Sequence, residues 1–91
     1  MDGGYAANRR WFLMPVTREQ AQMIATLAVA CRPKGAPAWD AAGVTAAIGK
    51  VKHLSLADVI LAATRAADDR DAKTPGVISA TGSMHWKERG N

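Results

Sequence analysis

Three side chains in this sequence are soft ligands for a transition metal: Cys31, His53 and His85. Structural zinc sites want four such ligands, paired at short spacings such as Cys-x-x-Cys or His-x-x-x-His, and no two of these stand at one. The sequence therefore predicts no metal, only a buried thiol and two histidines on the surface or at helix ends. The run Asp68-Asp69-Arg70-Asp71 concentrates carboxylates, but it lacks the twelve-residue spacing of a calcium loop. Arg65, Arg70 and Lys73 neutralise it, so it reads as a solvated helix end.

Nucleophilic chemistry finds little more. His53, Ser55 and Asp58 are close along the chain. A triad, however, needs a base oriented by a buried acid beside an oxyanion pocket, and Ser55 and Asp58 stand where a helix cap would use them. There is no G-x-S-x-G turn, no glycine-rich phosphate loop, and no carboxylate pair in an apolar setting. The expectation is a protein that is not an enzyme and needs no cofactor.

Binding remains, in two forms. In the first, the segments 40–51 and 55–69 form a helix-turn-helix-like pair that contacts nucleic acid by charge. Lys50, Lys52 and His53 at the turn would meet phosphate, Ser55 would present a helix N-terminus, and Arg9 and Arg10 would reach in from an N-terminal arm. The leading positions of the second helix, Ser55-Leu56-Ala57-Asp58, offer no Arg, Asn or Gln to read base edges, which points to weak backbone contact without sequence readout. In the second form the chain binds a protein, through Trp11, Phe12, Leu61 and Trp86, since aromatic residues are enriched at interface centres. The small-residue face Ala42, Ala46 and Gly49 could admit a second copy, making a homodimer, or equally receive the first helix of the same chain.

These residues need elements to hold them. Thr17-Arg18-Glu19-Gln20 has the form of a capping box, opening a helix over 18–31 whose buried face is Ala21, Ile24, Leu27, Ala28 and Cys31. Asp40 caps a second helix to about Val51, with Trp39 and Val44 at hydrophobic-staple spacing; it buries Val44, Ala47, Ile48 and Val51. Ser55 caps a third, with Asp58 in the capping-box position and Leu54 and Val59 as staple. Its buried stripe is Leu56, Val59, Ile60, Ala63 and Ala67. A short fourth helix is expected from Thr74-Pro75 to Gly82, with Pro at the first helical position. The prediction is an all-α bundle of three amphipathic helices plus a short fourth. A basic-aromatic arm over residues 1–16 precedes the domain at 17–82, and a tail follows at 83–91.

Composition agrees with that architecture. Alanine fills 19 of the 91 positions against one Phe and one Tyr, which favours helix over strand. A chain of this length allows one small core. The net charge of +4 is a mild excess suited to nucleic acid or an acidic partner, with no polybasic tract. One cysteine excludes an internal disulfide, and the acidic, glycine-rich N-terminus carries no secretory signal, so a cytoplasmic protein is expected. The longest apolar stretches fall far short of a bilayer span, so no membrane partner is expected.

The runs Ala38-Trp39-Asp40-Ala41-Ala42-Gly43-Val44, Leu54-Ser55-Leu56-Ala57-Asp58-Val59, Thr74-Pro75-Gly76-Val77-Ile78 and His85-Trp86 together resemble small uncharacterised proteins of actinobacteria and actinobacteriophages. The likeness spans about residues 37–86. It implies a phage or prophage accessory or regulatory protein that contacts DNA or a host protein, and it assigns no site residue.

Overall fold

A computed structural model describes residues 14–87. Three α-helices form, α1 (Arg18–Cys31), α2 (Ala41–Gly49) and α3 (Leu56–Asp68), followed by two 3-10 turns at Pro75–Ser79 and Met84–Trp86. The fold is all-α. Among the described residues the only β-pairing is an isolated antiparallel bridge between Pro15 and Ser55.

Each helix starts where a side chain can satisfy its first free N–H groups. Thr17 Oγ1 accepts from the Gln20 amide at 3.1 Å while Gln20 Oε1 accepts from the Thr17 N–H at 2.9 Å, the reciprocal capping box. Asp40 Oδ1 accepts from Gly43 N–H at 3.2 Å and Ser55 Oγ from Asp58 N–H at 3.3 Å. Helix α2 ends at Gly49, short of Val51, yet a turn bond from Val51 N–H to the Ile48 carbonyl still delivers Val51 into the core.

The core is built from α1, α2 and α3 with Val16, Trp39, Ala72 and Ile78 closing its edges. Helix α1 packs on both α2 and α3, and the first 3-10 turn touches both as well; α2 and α3 share few close approaches of their own. Four alanines of α3, at 62, 63, 66 and 67, are fully buried, so neighbouring backbones can come in close.

Two expectations about α1 need correcting. Leu27 and Cys31 are exposed, and the buried face is Ala21, Ile24, Ala25 and Ala28. The small alanine seam faces the core, while Leu27 stands roughly a third of a turn away around the helix. In α3, Ile60 is half-buried and Ala62 and Ala66 join the stripe.

The ends of the domain also differ from expectation. The fourth helix is a five-residue 3-10 turn, Pro75–Ser79, with Pro at its first position. So few residues, with Gly76 and the β-branched Val77 and Ile78 among them, cannot meet the nucleation cost of an α-helix. Residues 14–16, placed in the arm by sequence, are bonded to the domain. Val16 is buried, its N–H donates to the Lys52 carbonyl at 3.0 Å, and the Met14 carbonyl accepts from Leu56 N–H at 3.1 Å. Residues 83–87, read as a tail, fold back across α3. No helix among the described residues is long and apolar enough to cross a membrane.

Candidate functional site

The polar candidates disperse once the fold is formed. Cys31 and His53 are exposed at separate places and His85 is buried, and among the described residues no three His, Cys, Asp or Glu side chains converge as a metal group would need. Ser55 Oγ donates to Asp58 Oδ2 at 2.9 Å while accepting the Asp58 amide, so both side chains serve the start of α3.

A different Ser-His-Asp trio forms at the other end of α3. Asp69 Oδ2 lies 3.0 Å from His85 Nε2, and Ser83 Oγ lies 3.3 Å from His85 Nδ1. The hydrogen bond from His85 holds the Asp69 carboxyl below its ordinary value, helped by the Asp71 N–H that donates to Oδ1 at 2.9 Å. Ser83 Oγ also accepts from the His85 backbone N–H at 3.3 Å, the cap of the second 3-10 turn. The trio braces the returning chain against α3. Residues 16 apart carry the His–Asp contact, and no local spacing in the sequence announces it.

Two residues read as partner anchors, Leu61 on α3 and Trp86 on the returning segment, come together here. Trp86 is half-buried against the core and its Nε1–H donates to the Ile78 carbonyl at 2.8 Å. Leu61 is half-buried and shares a small pocket with Leu54, Asp58, Arg65, His85 and Trp86. Arg65 Nη1 donates to the Lys87 carbonyl at 2.7 Å and closes the strap over α3. The other two anchors, Trp11 and Phe12, lie outside the described residues, as do Arg9 and Arg10.

The basic residues of the proposed nucleic-acid face keep their exposure. Lys50, Lys52 and His53 are exposed on the turn after α2, and Lys52 shares a shallow groove with Val16, Thr17, Arg18, Thr45 and Gly49. The start of α3 is less open: Leu56 N–H is bonded to Met14, and Ser55 Oγ holds Asp58 N–H. Within α3 only Asp58 and Asp68 are fully exposed, both acidic.

One feature escaped the sequence reading. Gln20, Met23, Ile24 and Leu27 of α1 face Leu56, Ile60 and Thr64 of α3 across a cleft of about 200 Å³ lined almost wholly by carbon. Gln20 Oε1 accepts from Thr17 N–H, and Thr64 Oγ1 donates to the Ile60 carbonyl at 2.8 Å. Met23 and Leu27 stand 67% and 57% exposed along its rim. The signal was present as Met23 and Leu27, an i, i+4 apolar pair flanking the buried Ile24 on the edge of the alanine face. The exposed face Ala42, Ala46 and Gly49 is different, since nothing lies within 4 Å of a Cβ placed on Gly49.

Compared with protein-family models, with curated proteins and with solved structures, the chain matches none of them.

Proposed function

We propose that this chain is a small protein-interaction module, and that the groove between α1 and α3 receives a short apolar segment of a partner polypeptide. The observation that carries this reading is the exposure of Met23 and Leu27 on a carbon-lined cleft between two packed helices. Single exposed apolar residues are ordinary, whereas a contiguous apolar cleft is the kind of surface partners use. The flexible Met23 side chain suits a site that accepts related sequences, and an apolar groove between two helices is what an amphipathic segment lays its face into. Selection from a displayed library of short peptides, counter-selected against the Leu27→Glu variant, tests it. The expected outcome is enriched peptides with apolar residues at helical spacing that bind the native chain alone. Enriched peptides that bind Leu27→Glu equally well overturn it.

A second reading, contact with a nucleic-acid backbone, has its own support. Arg18 and Lys52 are exposed along one shallow groove, with Lys50 and His53 on the adjoining turn. Binding of this kind is charge-driven and collapses with salt. Anisotropy of a labelled duplex at low salt is expected to fall in a Lys50→Ala/Lys52→Ala variant; unchanged affinity removes this reading.

A further inference from the structure

The open side of α1 carries no charge. From Gln20 to Cys31 not one residue is charged, although charged residues make up 22% of the chain. Gln22, Met23, Thr26, Leu27, Ala30 and Cys31 of that stretch are nonetheless exposed. A solvated helix face is normally charged, whereas the centre of an interface is depleted of charge. The charges of α1 sit in its first turn. Arg18 lines the shallow groove shared with Lys52, on the α2 side, and Glu19 is exposed one residue further around the helix.

Spacing indicates what fits this face. Gln20, Met23, Leu27 and Ala30 follow one another at intervals of three, four and three, the seam of a coiled-coil pair. Laid against an antiparallel copy of itself, the seam closes on its own residues. Met23 lies across from Leu27 of the second copy, and Gln20 across from Ala30 of the second copy. Both pairs repeat about one two-fold axis, as an isologous interface requires.

Charge favours the antiparallel sense. Glu19 then stands beside the far end of the second copy's α1, where Lys34 is exposed. Within one chain α1 and α3 run the same way. Met14, ahead of α1, is bonded to Leu56 N–H at the start of α3, and Arg32, just past α1, is bonded to the carbonyls of Ala67 and Asp69 at its end. The dipoles of α1 and α3 therefore add, and a second copy laid antiparallel offsets them.

We infer that the groove's occupant is α1 of a second copy, the two α1 helices pairing antiparallel about a two-fold axis between Met23 and Leu27. The inference rests on the reading that this groove takes an apolar segment, and it names that segment. Ile60 and Thr64 of α3 flank the pair. The seam from Gln20 to Ala30 is about 15 Å long at the rise of an α-helix, which is small for a specific interface, so the dimer forms in the micromolar range.

Sedimentation equilibrium of the full chain, from about 10 to about 500 µM, tests it. The mass is expected to climb from 9.6 kDa toward twice that value. Leu27→Glu sets two carboxylates near the axis and moves the midpoint upward on the order of ten-fold or more. If Leu27→Glu loses its helical circular dichroism, Met23→Glu is read the same way. Ala46→Glu, on the exposed small-residue face of α2, leaves the midpoint where it was. In a Cys31→Ser background, Gln20→Cys and Ala30→Cys chains mixed in equal parts cross-link under mild oxidation, and neither cross-links alone.

A mass that stays at 9.6 kDa throughout overturns the second copy as occupant. So does association that Leu27→Glu leaves intact or that Ala46→Glu abolishes. Cross-linking of each cysteine variant with itself means a parallel pair and overturns the arrangement too. A monomeric chain leaves the peptide selection untouched, since a displayed peptide needs no second copy, so the two readings fail separately.

Discussion

The guanidinium of Arg32 lies 4.4 Å above the centroid of the Trp39 ring, at the junction where α1 ends and the chain turns toward α2. From that position its Nε donates to the Pro37 carbonyl at 3.0 Å and its Nη1 to the carbonyls of Ala67 and Asp69 at 2.9 and 3.0 Å. A single side chain therefore ties the end of α1 to the last carbonyls of α3, which have no partner within their own helix. Replacing Arg32 with Ala is expected to cost about 2–3 kcal/mol, through orphaned carbonyls and the lost cation–π contact. Arg32→Lys recovers little, because an ammonium lacks the planar fork that reaches two sites at once. Urea unfolding followed by circular dichroism measures both.

Two glycines of α2 are expected to respond to alanine in opposite directions. A Cβ on Gly43 would come 2.6 Å from Asp40 Oδ1, the capping oxygen, and 3.0 Å from Pro75 Cγ. Gly43→Ala therefore displaces either the cap or the first 3-10 turn and destabilises by about 1 kcal/mol. Gly49 has open space around it and no positive φ, so Gly49→Ala stabilises by about 0.5 kcal/mol through reduced backbone entropy in the unfolded chain. Thermal midpoints of the two variants should move apart from the native value, Gly43→Ala down and Gly49→Ala up.

The His85–Asp69 pair makes stability depend on acid. The folded protein holds the Asp69 carboxyl below its ordinary value, so it binds its proton less readily than the unfolded chain does. Its contribution is present above the ordinary carboxylate range, about pH 4, and is lost as pH falls through the lowered value. Asp69→Asn should flatten this part of the profile, bringing the urea midpoints of variant and native chain together at low pH. A gap that stays constant from neutral pH down to acid would contradict the assignment.

Trp86 is expected to behave as a core residue. Trp86→Ala removes its packing on α3 and leaves the Ile78 carbonyl without its donor, at a cost of about 2 kcal/mol. Loss of stability without loss of peptide binding, measured together, separates this role from that of an interface anchor.

Much of the fold was legible because its signals are local. Thr17, Asp40 and Ser55 announce three helix starts, and each caps the helix that follows it. What the sequence could not convey depends on long-range geometry. Leu27 has the spacing of a core residue, yet the alanines at 21, 25 and 28 decide which side of α1 approaches its neighbours. Periodicity specifies that a helix has an apolar face but not which of two adjacent stripes is covered. His85, Trp86 and Arg65 looked like surface residues because their partners stand 16, 8 and 22 positions away. The groove is the residue of both effects: the Met23 and Leu27 pair on α1 meets a ridge of α3, and neither is recognisable alone.

The central place of α3 bears on how the chain reaches this state. Helices of 9 to 14 residues are marginal alone in water. The strap over its outer side, made by residues 83–87, joins positions about 20 apart along the chain. Such short loops close at little entropic cost. If the collapse of α1 onto α3 limits the rate, the strap fastens afterwards on the downhill side. Substitutions at Val59 or Ala63 should slow refolding, and changes at Trp86 or Asp69 should chiefly speed unfolding.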